Sequence, residues 1–293
     1  MSDSRHVAVL GLGAMGHAFA ANLVKSGFNV SVWNRSSGKA DELVAQGARE
    51  AASPAEAVHE AAAVIAMLPD LAVTREVLLG GGAALAAMAP ESVLIQMGTL
   101  GVTETDRLIH EVAEVRDDVT FIDAPVSGTK APAEQGTVAI LASGDRAAAT
   151  VVDPIFEVLG KKTHWLGEAG QGARMKIVVN AWLVAMMQGI AETTQLAETL
   201  GFSSDDLWQV LDGGPLASPY VKVKLDMIAS GDFDPQMALQ WGLKDAGLAL
   251  EAGGERGLPS LAQIRNLWAD AVSDGRGEED IAAIYDYLKA KRG

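Results

Sequence analysis

The sequence predicts an α/β fold. A doubly wound, mostly parallel sheet is expected over residues 1–166, followed over 167–293 by an all-α region that starts with a long joining helix. Three observations carry that expectation. Up to about residue 166, short apolar runs rich in branched side chains alternate with alanine-rich helical segments, a pattern that builds parallel sheets covered on both faces. Beyond it strand patterns vanish, and helical segments are punctuated by Gly201, Gly213-Gly214-Pro215, Gly231, Gly253-Gly254 and Gly257-Leu258-Pro259. The length of 293 residues itself suggests about two domains.

The first strand, Val7-Ala8-Val9-Leu10, runs directly into Gly11-Leu12-Gly13-Ala14-Met15-Gly16, and a helix follows through Phe19, Ala20, Asn22, Leu23 and Val24. In a strand–turn–helix setting, Gly-x-Gly-x-x-Gly is the dinucleotide fingerprint of a Rossmann-type domain. Its glycines serve the tight turn, the backbone's approach to a pyrophosphate and close helix–strand packing. The phosphates would rest on the N–H groups of the helix start, which makes Gly11, Leu12, Gly13, Ala14 and Met15 candidate cofactor contacts. A secretory leader is the competing reading of residues 7–24. It lacks a basic n-region, because Asp3 and Arg5 cancel, and three glycines break its apolar run.

The second strand, Asn29-Val30-Ser31-Val32-Trp33, selects the cofactor. NAD binding usually needs an acid about 20 residues past the glycines, on the ribose 2′-hydroxyl. Here the strand ends in Asn34-Arg35-Ser36 with no carboxylate. Arg35 offers a permanently charged planar fork to a 2′-phosphate and Ser36 a hydroxyl, so NADP(H) is expected. The next strands are Ala63–Leu68, Ser92–Met97, Thr120–Asp123 and Val138–Ala142. Strand C-termini and the loops just past them line the ligand-binding edge of such sheets, which adds Met67 and Leu68 at the end of the Ala63–Leu68 strand, Pro69 after it and Thr99 to the cofactor candidates.

The joining helix contains Gly170-Gln171-Gly172-Ala173-Arg174-Met175-Lys176-Ile177-Val178-Val179-Asn180. Residues four apart share a helix face, so Lys176 and Asn180 face the same way. From Ile177 to Met187, through Trp182, Leu183 and Val184, the helix is apolar nearly all round and is expected to be buried. By itself Lys176 reads as a solvated lysine near a helix start; among such neighbours it must snorkel or serve a site. Trp208, Tyr220, Met237 and Trp241 read as core.

Composition narrows the function classes. At 49% hydrophobic and 21% charged, the chain is an ordinary globular one, and it has no run of about 18 apolar residues to span a membrane. A net charge of −15 argues against nucleic acid and anionic membrane surfaces as partners. The absence of cysteine excludes disulfides, thiolate metal sites and thiol catalysis. The five histidines show no ligand spacing, so no metal is expected, and a cytoplasmic location is.

Taken together, the glycine loop, Asp123-Ala124-Pro125-Val126-Ser127-Gly128, Gly170-x-Gly172-x-x-x-Lys176-x-x-x-Asn180 and Lys244-Asp245 resemble the β-hydroxyacid dehydrogenase family, in its order and over essentially the whole chain. The stretch Ala124–Gly136 and Asn34-Arg35-Ser36 most resemble its glyoxylate/succinic semialdehyde reductase branch. The resemblance implies that Lys176 is the catalytic acid and base, with Ser127, Gly128 and Thr129 holding a substrate carboxylate. It also implies that Asn180 orients the substrate, that Lys244 contacts the cofactor with Asp245 holding Lys244 in place, and that the chain forms a homodimer or homotetramer. The substrate class is then a small carboxylated aldehyde or β-hydroxy acid.

The chain departs from the family at Gln96-Met97-Gly98-Thr99, where many relatives read Asp-Met-Ser-Thr, and at Val179, where an asparagine is frequent. Two other readings stay open: an imine reductase or reductive aminase, which usually replaces the lysine, and a non-catalytic NADP-binding interaction protein.

Overall fold

The structure is a computed structural model and describes residues 5–254 and 256–291. It divides into two compact units, Met1–Lys176 and Ile177–Gly293.

In the first unit the apolar runs form strands β1 (His6–Leu10), β2 (Asn29–Trp33), β4 (Ala63–Ala66), β5 (Val93–Gln96), β6 (Thr120–Asp123) and β8 (Val138–Gly144). Three further strands are short or polar: β3 (Arg49–Glu50), β7 (Val126–Ser127) and β9 (Gly160–Trp165). Between them lie α1 (Ala14–Lys25), α2 (Asp41–Ala45), α3 (Pro54–Val58), α4 (Leu71–Leu78), α5 (Ala84–Ala87), α6 (Val102–Val115), α7 (Lys130–Glu134) and α8 (Ala149–Leu159).

The nine strands run in the order β3-β2-β1-β4-β5-β6-β8-β7, with β9 on the far side of β8. From β3 to β6 every pairing is parallel, whereas β8 runs antiparallel to β6 and β7. The order reverses between β1 and β4, which marks the crevice where open α/β sheets take their ligands. Alternate residues of each strand feed two cores. On one face Val7, Val9, Val32, Ile65 and Ile122 pack with Phe19, Leu23 and Phe156; on the other Ala8, Leu10, Val64 and Leu94 pack with Val58, Leu78, Leu85 and Leu108. A sheet covered on both faces permits these near-continuous apolar strands.

Helix α9 (Gln171–Thr199) carries the chain out of the first unit, and the second unit continues with α10 (Ser204–Leu211), α11 (Pro219–Ser230), α12 (Leu239–Gly253), α13 (Pro259–Ala271) and α14 (Ile284–Ala290). No described helix is long and apolar enough to cross a membrane.

Two expectations are corrected. α9 is not buried all round: Val178, Trp182 and Leu196 are 63%, 66% and 55% exposed. Several of its polar side chains instead point inward and find partners there. Gln188 Oε1 accepts from the Trp268 indole N–H at 2.8 Å, and Gln195 donates to the Tyr285 carbonyl at 2.8 Å. Trp241, read as core, is likewise exposed.

The second unit also buries an ion pair. Lys224 Nζ donates to Asp280 at 2.5 Å, and Asp280 accepts in addition from the backbone N–H groups of Gln236, Met237 and Ala282. Burial holds the Lys224 ammonium below the usual lysine range, with the Asp280 charge opposing the shift. Removing one partner of a buried pair strands the other charge, at a cost of about 3–5 kcal/mol. Asp280→Asn should therefore lower stability by about that amount in chemical denaturation, and Lys224→Met should cost less because it leaves only an acceptor that three N–H groups still serve.

Candidate active site

Because β1 to β6 are parallel along the sheet, the segments leaving β1, β2, β4 and β5 emerge at one edge, and four of the predicted cofactor segments sit there. Gly13 is the N-cap of α1 and brings no capping side chain. The first N–H groups of that helix have no acceptor within the helix. A side chain at Gly16 would begin 2.0 Å from the Gly11 carbonyl oxygen, so the helix start is pressed onto its own strand exit. Apart from its chain neighbours, no described residue lies within 4 Å of the point where a side chain at Gly13 would begin. A closed turn with open space above its N–H groups is what a pyrophosphate requires, so the residues present fit a dinucleotide.

Asn34 locks this turn to the next loop. Its Oδ1 accepts from Leu12 N–H at 2.9 Å and its Nδ2 donates to the Ser36 carbonyl at 3.0 Å. Arg35 and Ser36 lie exposed on the turn so closed. After β4 come Met67, Leu68 and Pro69, and the next side chain, Asp70, is occupied in capping α4 through Val73 N–H at 2.8 Å. After β5, buried Gln96 donates to the Gly98 carbonyl at 3.1 Å and so closes the loop that leads to half-buried Thr99. At the family departure in 96–98, the polar side chain of Gln96 is thus spent on closing the loop, and Gly98 brings no side chain.

Ser127 ends β7, and Gly128 and Thr129 lead into α7, where Thr129 stands at the N-cap without spending its hydroxyl on a capping bond. Asn22 of α1 donates to the Ala133 carbonyl of α7 at 2.8 Å, which fixes this loop against the helix that carries the glycine turn. Lys176 is half-buried in the second turn of α9. In the second unit, Asn180 is buried and its Nδ2 donates to Asp245 Oδ2 at 2.5 Å. Lys244, beside Asp245 on α12, holds its ammonium 5.7 Å from the Trp241 ring centroid.

Asp123 and Ser143 are the polar residues for which sequence reasoning gave no role. Asp123, the last residue of β6, accepts from Ala173 N–H at 2.7 Å and lies 3.2 Å from the Ser143 hydroxyl, which itself accepts from Gly172 N–H at 2.9 Å. Burial pushes the Asp123 carboxyl up to about 6, against the Ala173 N–H and the Ser143 hydroxyl, which favour its charged form. The one signal in the sequence was an acid closing an apolar strand.

Two family models cover the chain. That for the NAD binding domain of 6-phosphogluconate dehydrogenase matches residues 6–167, and that described as NAD-binding of NADP-dependent 3-hydroxyisobutyrate dehydrogenase matches 170–288. The chain is also 38% identical to glyoxylate/succinic semialdehyde reductase 1 of Arabidopsis thaliana, over 98% of its own length and 99% of the relative. It belongs to the β-hydroxyacid dehydrogenase family.

Within that family it falls in the glyoxylate reductase branch, and it is an NAD(P)-dependent enzyme. The 3-hydroxyisobutyrate dehydrogenase of Mycobacterium tuberculosis, in a structure with L-serine, superposes with a TM-score of 0.83 at 31% identity, over 97% of this chain and 98% of that one. A reductive aminase from Aspergillus terreus, in a structure with NADPH, cyclohexanone and allyl amine, reaches a TM-score of 0.63 at 26% identity, over 97% of this chain and 99% of that one.

Proposed function

We propose that this enzyme is an NADPH-dependent reductase of small carboxylated aldehydes such as glyoxylate or succinic semialdehyde, with Lys176 as its general acid. The observation that carries the reading is Lys176 itself, present on α9 in a chain that matches a glyoxylate/succinic semialdehyde reductase over nearly its whole length. For the cofactor, support comes from the turn after β2: it offers exposed Arg35 and Ser36 and no carboxylate at the place where an acid would hold a 2′-hydroxyl.

The nicotinamide, when bound, supplies the hydride. Lys176, as an ammonium, donates its proton to the oxygen that becomes the alkoxide; in the direction of oxidation its neutral form takes that proton back. Ser127 and Thr129 offer hydroxyls and Gly128 a backbone N–H to the substrate carboxylate. Asn180 orients the carbonyl and Lys244 contacts the cofactor. With a net charge of −15, the protein attracts an anion only through such a local set of donors. The enzyme is expected to work as a homodimer or homotetramer. Support for this comes from the exposed apolar residues Val178, Trp182 and Leu196 on α9 and Leu200 just past its end, which a monomer leaves in water.

Three measurements test this reading. Lys176→Ala should lower kcat by about 10²–10⁴-fold on the best aldehyde while the Kd for NADPH stays within about twofold. Wild-type turnover in that variant would refute the assigned role, and faster reduction of neutral carbonyls or cyclic imines than of carboxylated aldehydes would favour an imine reductase. NADPH should be preferred over NADH, and Arg35→Asp should swing the ratio of kcat/KM toward NADH; equal efficiency with both in the wild type would defeat the assignment. Light scattering at micromolar concentration should give an oligomer that Trp182→Glu weakens, and a monomeric wild type would contradict it.

A further inference from the structure

The first turn of α9 presents N–H groups that no residue of the helix can accept, and the sheet disposes of the two inner ones. Gly172 N–H goes to the Ser143 hydroxyl and Ala173 N–H to the Asp123 carboxylate, donors and acceptors that are 29 and 50 residues apart in the chain. The contact is tight as well as polar. A side chain at Gly172 would begin 2.2 Å from the Leu141 carbonyl oxygen and 3.0 Å from that of Asp123, so the helix backbone rests directly on the end of β6 and the middle of β8. On the helix's other side, Arg174 reaches Asp106 of α6 at 2.8 Å and bonds back to the Gly170 carbonyl at 3.0 Å.

A local serine or threonine would have capped this helix at no cost in buried charge. Instead the cap comes from a buried acid on the strand beside β5, in register with Gln96, the residue that closes the Thr99 loop. Lys176 follows Ala173 by three residues, about 4.5 Å along the helix axis. The position of its Cα is therefore dictated by where Asp123 and Ser143 hold the helix start.

We propose that Asp123, acting with Ser143, is a positioning residue for the reaction: it ties the start of α9 to the sheet edge that carries the cofactor loops and so fixes where Lys176 stands. This rests on the reading of Lys176 as the general acid. Displacement of a reacting group by about 1 Å can cost on the order of 10²-fold in rate, so a cap made by the sheet itself serves catalysis as well as stability.

The test is a mutant cycle in the full-length enzyme, with kcat on the best carboxylated aldehyde, NADPH Kd and NADPH stoichiometry measured for each variant. Asp123→Ala should lower kcat about 10–100-fold while the Kd stays within about twofold and the stoichiometry is unchanged. Asp123→Asn should recover most of the rate, because its amide oxygen can still accept from both the Ala173 N–H and the Ser143 hydroxyl, which share one carboxylate oxygen of Asp123. Added to Lys176→Ala, Asp123→Ala should cause no further loss, since there is no longer an ammonium to position. If Asp123→Ala does not fold, Ser143→Ala enters the same cycle with a smaller expected loss, about 3–10-fold, from one missing bond. Undiminished kcat in the folded variant, failure of Asp123→Asn to recover the rate, or losses that multiply on the Lys176→Ala background would each overturn the inference. Wild-type turnover by Lys176→Ala alone would instead overturn the reading on which it rests.

Discussion

A helix start exposes backbone N–H groups that the helix cannot satisfy, and this protein is organised around two opposite treatments of that fact. At α1 the cap is glycine and the space above it is open, an arrangement that fits a phosphate. At α9 the same groups are taken by Asp123 and Ser143 from within the sheet, and no ligand is invited. The strand order makes both outcomes possible. Parallel strands end at one edge, so the open helix start and the acid that closes the other belong to the same sheet.

Much of this was legible in the sequence, and what was not has identifiable reasons. The glycine turn and the strands β1, β2, β4, β5, β6 and β8 could be read because each is a dense apolar run next to a turn signal. β3 is two charged residues, and β9 opens Gly-Lys-Lys-Thr-His; both lie away from the sheet's centre, where hydrophobic patterning is weakest. α9 was misjudged because periodicity records which residues are apolar and not which face the fold covers. Its glutamines turn inward to Trp268 and Tyr285, and its Trp182 turns outward.

The polar network of the site was the least legible part. Asp123 meets Ala173 across 50 residues and Asn180 meets Asp245 across 65, separations that no local pattern encodes. The motifs supplied the residue types, while the pairing came only from the fold. The same holds for Lys224 and Asp280, to which the sequence assigned no role and which are both buried. Asp280 gathers three backbone N–H groups as well as the ammonium, so the segment leading into α12 is held by one carboxylate.

Asn34 spends its two amide ends in different directions, one on the glycine turn and one on the turn that displays Arg35. Under the proposed function, the grip on the pyrophosphate and the choice between nucleotides therefore share a hinge pin. Rewriting residues 35–36 also pulls on the glycine turn through Asn34, so, if those residues select the cofactor as proposed, selectivity and affinity drift together unless Asn34 keeps both of its bonds.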